Sequence, residues 1–118
     1  MDELTRLVDT CVAAAKLHRD SKESGDHRKT NRAHDQVTEA FLKIEPYGDQ
    51  GIERLSKLLH HDDLGVQGWA AYHLLKTRPE TAEPVLERLA EMRGLLGFSA
   101  MMTLTEWRKG TLKFPPFG

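Results

Sequence analysis

Residues 55–74 and 85–104 repeat one another at an offset of 30, pairing Leu55 with Val85, Leu59 with Leu89, Val66 with Leu96, Ala70 with Ala100 and Leu74 with Leu104. Within each copy the apolar positions recur every three or four residues, the period of a helix with one buried face. Two such helices in a row form a hairpin whose apolar side remains open to water until a neighbouring hairpin covers it. A repeat of this length therefore demands stacking, the physical logic of a solenoid. Alternating β-branched runs, which would signal strands, are absent from the sequence.

The same period extends through the rest of the chain. A first helix is expected from about Asp2 to Ser21, with Leu4, Leu7, Val8, Cys11 and Ala15 on one stripe, followed by a polar break over Asp20–Asp26. A second carries Ala33, Val37, Ala40, Phe41 and Ile44 and ends near Pro46. Asp49 is a candidate N-cap for a third helix with Ile52, Leu55, Leu58 and Leu59, and Asp62 or Asp63 for a fourth, whose run from Val66 to Leu75 is apolar on almost every side. Pro79 suits the first turn of a fifth helix, with Val85, Leu86, Leu89 and Met92, that stops at Gly94. A sixth holds Leu96, Ala100, Leu104 and Trp107 and closes at Gly110. These six helices predict an all-α fold, a right-handed α-α superhelix of about three antiparallel pairs over residues 1–46, 49–77 and 79–109, with a non-helical tail at 111–118.

The stretch from Leu58 to Leu75, with Asp62-Asp63 in its turn, Val66-Gln67 after it and the small pair Ala70-Ala71, resembles the HEAT repeat, with Gln67 standing where that pattern prefers Arg. The resemblance is closest over residues 51–76 and covers 80–109 less fully. The ending with Ala100, Leu104, Glu106-Trp107 and Gly110 is similar to that of short bacterial HEAT-like proteins of unknown function. Proteins of this size and shape include immunity proteins that neutralise toxins, so the resemblance implies a protein-binding role.

Charge and chemistry narrow the function. The formal net charge is -1, with 10 Lys+Arg against 11 Asp+Glu in residues 1–59 and 7 against 7 in the rest. Neither half has the basic excess that neutralising phosphates requires, which disfavours nucleic acid as a partner. No run approaches the ~20 apolar residues of a membrane span, Met1-Asp2-Glu3 is acidic where a signal peptide is basic, and Cys11, the one cysteine, sits on an apolar stripe; a cytoplasmic protein is expected. The six histidines show neither a HExxH nor a CxxC companion, although His60 and Asp63 would share a helix face. Nucleophile elbows, P-loops and dinucleotide spacings are missing too. No catalytic residue, cofactor or metal is expected. A HEAT-like nucleic-acid enzyme using Trp69, Trp107, Tyr72 and Asp63 ranks behind a binding module.

Two surfaces are candidates for a partner, with Asp62 and Asp63 also counted among the partner-binding residues. Glu80, Glu83, Glu87 and Glu91 fall at i, i+3, i+7 and i+11 of the fifth helix, an acidic ridge suited to a basic partner such as a nuclease toxin, with Arg88 the basic residue within it. Tyr72, Phe98 and Met102 belong to a row along the second helices of consecutive units, where a scaffold or regulatory subunit would join a larger assembly. Asp62 and Asp63 lie in the turn between them and the third helix. Phe114-Pro115-Pro116-Phe117 is expected to fold over the sixth helix as a terminal cap.

Overall fold

A computed structural model describes residues 2–115. Six helices follow one another: α1 Glu3–Ser24, α2 His27–Ile44, α3 Asp49–Leu58, α4 Leu64–Leu74, α5 Pro79–Ala90 and α6 Leu95–Lys109, with a short 3-10 turn at Glu45–Tyr47. No strand occurs among the described residues. The chain occupies 37 × 32 × 31 Å with a radius of gyration of 13.3 Å.

Local chemistry sets most of the boundaries. Asp2 caps α1 by accepting from Thr5 N at 2.8 Å. The helix runs three residues past the expected Ser21 because Lys22-Glu23-Ser24 remain helix-competent, Arg19 and Glu23 pair at i,i+4, and the break comes only at Gly25, whose φ of 81° terminates the helix in the left-handed region. Asp26 then caps α2 through Lys29 N. Asp49 is not a cap: Gly48 takes that position at φ 60°, and Asp49 lies in the first turn of α3, where its charge suits the positive helix end. Asp63 is the cap of α4, accepting from Val66 N at 3.0 Å. The stripe of α5 is shorter than expected, since that helix ends at Ala90 and leaves Met92 exposed in the turn. Gly94 serves as the cap of α6.

α1 and α2 form a long antiparallel hairpin, joined through Ser21, whose buried hydroxyl meets Leu17 O at 2.7 Å and Thr30 Oγ1 at 2.9 Å. α4 is the hub. It packs against α1, α3, α5 and α6, and Val66, Ala70, Ala71, Leu74 and Leu75 are all buried. Both members of each 30-residue pair contribute to the core, with Leu96 partly covered and the other nine residues buried. Small residues set the close approaches: a Cβ on Gly51 would stand 2.8 Å from Ile44 Cγ2, and one on Gly65 3.2 Å from the Arg19 side chain.

Candidate functional site

The outer face of α6 is the most unusual surface. Leu95 is 47% exposed, Phe98 59%, Met101 46% and Met102 41%, on a helix whose opposite side buries Gly97, Ala100 and Leu104. At 100° per residue, Leu95, Phe98 and Met102 fall within about 60° of arc, directly away from the core. α6 is thus apolar on two sides, and only one of them is covered by the described residues. Scattered exposed apolar side chains are ordinary, whereas these lie in a contiguous row on one helix.

The acidic ridge lies on the neighbouring helix and is partly neutralised. Arg108, reaching over from α6, places Nε 3.5 Å from Glu83 and Nη2 3.4 Å from Glu87. Arg88 leaves the ridge altogether: its Nη2 donates to Gln67 Oε1 at 2.6 Å, while Gln67 Nε2 donates to His61 O at 2.6 Å, tying α5 to the turn before α4. Glu80 and Glu91 are exposed at the two ends of α5. Among the described residues, four glutamates in line thus resolve into a bridged centre and two unbridged ends.

The expected row through Tyr72, Phe98 and Met102 is divided. Tyr72 is half-buried; its hydroxyl donates to Lys113 O, and its ring stacks on Phe114 at 5.2 Å. Phe114 also meets Trp107 edge-on at 6.3 Å and lies under Lys76 Nζ at 5.1 Å, and Lys76 in turn pairs with Glu45 at 3.1 Å. The tail therefore folds back over α4 and α6, as a cap would, while Pro116, Phe117 and Gly118 lie outside the described residues. Tyr72 is a seat for the chain's own tail, and Phe98 and Met102 face outward on the far side of α6. Phe114→Ala is expected to cost about 2 kcal/mol, less than a fully buried phenylalanine because the ring is only partly buried. In urea the midpoint should fall at unchanged slope.

Asp63 is committed to capping α4, with Oδ2 4.0 Å from Arg19, and Asp62 is exposed in the turn without a role in either surface. His60 and His61 follow the end of α3 and so share no helix face with Asp63; His61 Nδ1 instead accepts from Asp63 N at 2.9 Å. Among the described residues no group of three His, Cys, Asp or Glu is arranged to hold a metal. Burial pushes the Cys11 thiol up to about 12, which keeps it protonated and unreactive.

An aromatic cluster that periodicity did not reveal sits between these surfaces. Trp69 of α4 meets His18 of α1 at 5.2 Å and His34 of α2 at 5.6 Å, both edge-on, and Tyr72 at 5.9 Å. His73, on the inner side of α4, stacks on Phe41 at 3.4 Å with its Nε2 buried and unpartnered. Desolvation, with smaller contributions from Lys22 and His34, holds His18 down to about 4; desolvation and then Lys76 hold His73 down to about 3. A spacing of 16 residues between His18 and His34 carries no helical signal, since a hairpin turn lies between them. Beside Trp69, a groove of about 270 Å³ opens between α1, α4 and α6, and Leu95 links its rim to the outer face of α6.

Comparison with protein-family models, curated proteins and solved structures finds no match. Among the described residues no helix is long and apolar enough to cross a membrane.

Proposed function

We propose that this protein is a non-enzymatic, HEAT-like binding module that captures a basic protein through the outer face of α6 and the acidic flank of α5, most concretely as an immunity-type inhibitor that occludes a nuclease toxin in the cytoplasm. The observation that carries the reading is the exposed row Leu95, Phe98 and Met102, large flexible and aromatic side chains of the kind that anchor contacts. Glu80 and Glu91, exposed on the adjoining α5, supply negative charge that steers a basic partner, and Arg108 of α6 pairs with Glu83 and Glu87 between them. The thirty-residue repeat, with its paired positions in the core, supports the HEAT-like assignment.

Candidate basic nucleases, purified, should lose DNA cleavage on mixing with the protein, and Phe98→Asp or Met102→Asp should weaken that inhibition by at least tenfold, about 1.4 kcal/mol or more. Glu80→Lys with Glu91→Lys should slow association and reduce its salt dependence. Inhibition indifferent to both α6 substitutions would reject this face as the contact.

A further inference from the structure

We propose that the groove between α1, α4 and α6 is a binding site for a small monocarboxylate with an apolar body, such as a medium-chain fatty acid, independent of the protein-docking face beside it. The geometry begins with Gly68 on the groove lining. Of the helical glycines, Gly51, Gly65 and Gly97 are each held by close packing, with a Cβ meeting neighbours at 2.8, 3.0 and 1.8 Å. At Gly68 the nearest atoms to a Cβ would be Leu89 Cδ1 at 3.7 Å and Leu96 Cδ1 at 3.9 Å, ordinary contact distances. Nothing in the packing requires glycine there, and an interior glycine costs a helix about 1 kcal/mol relative to alanine. What the missing side chain does leave is space.

The walls define what fills that space. Leu86, Leu89, Leu96 and Ala100 supply apolar surface at the base, and Trp69, held by the two imidazoles and Tyr72, supplies a rigid aromatic side. At about 270 Å³ the groove falls just below the range of drug-sized pockets, which sets the ligand at a short chain or one ring system. Charge selects the head group. Arg19 is already occupied, with Nε 3.4 Å from Glu23 Oε1, an ion-pair contact outside hydrogen-bond geometry, and Nη1 4.0 Å from Asp63. Lys22, at the exposed rim, has no carboxylate within ion-pair distance among the described residues. Glu23 lines the same groove and is paired with Arg19, which leaves the ammonium of Lys22 above the apolar base to match one negative charge on an apolar body. His18 is neutral at physiological pH and so adds polarity without competing for the anion.

Trp69 reports occupancy directly. In a Trp107→Phe background, titration with decanoate should change Trp69 emission saturably, with a Kd on the order of 100 μM for a ligand of this size. Gly68→Leu, which fills the groove from α4, should weaken binding by at least about tenfold, and Lys22→Ala should weaken decanoate about fivefold while leaving uncharged decanol unchanged. Circular dichroism establishes that each variant is folded; should Gly68→Leu fail that check, Gly68→Ala takes its place with a smaller loss expected. The proposal is overturned by an emission that does not saturate, or by affinity that ignores the glycine substitution. Equal loss of decanoate and decanol in Lys22→Ala would overturn the carboxylate assignment. Because the readout needs no protein partner, failure of the docking face leaves this result untouched, and the reverse holds.

Discussion

Gly97→Ala is expected to destabilise the protein by about 3 kcal/mol, lowering Tm by on the order of 10 °C, even though alanine is the better helix former by about 1 kcal/mol. The added Cβ would stand 1.8 Å from Met92 O and 2.7 Å from Met92 C. Both are backbone atoms in the tight turn from α5 to α6, so no side-chain rotation relieves the clash, and the turn itself must shift. That movement would pull Leu89, whose carbonyl lies 3.3 Å from the same point, and with it the contact between α4 and α5. Gly68→Ala is the matched control, since it has room for the methyl and should raise stability by several tenths of a kcal/mol or more. Urea denaturation of the two variants decides the matter. If Gly97→Ala proved as stable as the parent, Gly97 would not lie against the Met92 carbonyl as closely as this structure has it.

The second large effect is acid sensitivity. In the unfolded chain His73 takes up a proton near pH 6.5, whereas in the folded chain burial beside Phe41 and the nearby Lys76 hold it neutral down to about 3. The folded pKa is the lower of the two, so the stability is fully present above pH 6.5 and is lost as pH falls towards 3, at about 1.4 kcal/mol per pH unit once the unfolded imidazole is charged. By pH 4.5 that amounts to roughly 2 to 3 kcal/mol, a large share of a typical domain's 5 to 15 kcal/mol. His18 acts in the same direction over a narrower window, from 6.5 down to about 4, and more weakly because it is only partly buried. His73→Phe should keep the stack on Phe41 and strand no hydrogen bond at Nε2, which has no partner to lose. Relative to the parent, it should therefore gain roughly 2 kcal/mol between pH 7.5 and pH 4.5. Parallel pH profiles for parent and variant would show that His73 does not titrate in this way.

Both predictions concern features that the linear pattern does not expose. Gly97 reads in the sequence as one more small residue near a helix start, and His73 as one polar position on an otherwise apolar helix. What makes each consequential is a neighbour from another element, Met92 O in one case and Phe41 in the other. The acidic ridge shows the same limit. Its i, i+3, i+7, i+11 spacing correctly puts four glutamates along the side of α5 away from the core, but the spacing within α5 carries no trace of Arg108, 21 residues beyond Glu87, which comes to lie across two of them. Arg88, adjacent in sequence, is drawn away by Gln67.

Six helices and most of their ends follow from short-range chemistry: Asp63 and Asp26 accepting from amides three residues on, Gly25 and Gly110 at positive φ, Pro79 opening α5, and apolar residues at helical period facing inward. Those interactions span a few residues, so the sequence by itself determined them. The choice of α4 as the hub, the aromatic cluster of His18, His34 and Trp69, the tail seated on Tyr72, and the bare outer face of α6 were decided only by tertiary structure. Helical periodicity fixes which side of each helix is apolar, but two apolar sides on α6 compete for the same core. Only the packing of α4 and α5 against one of them, where Gly97 and Ala100 permit close approach, leaves Phe98 and Met102 to the solvent.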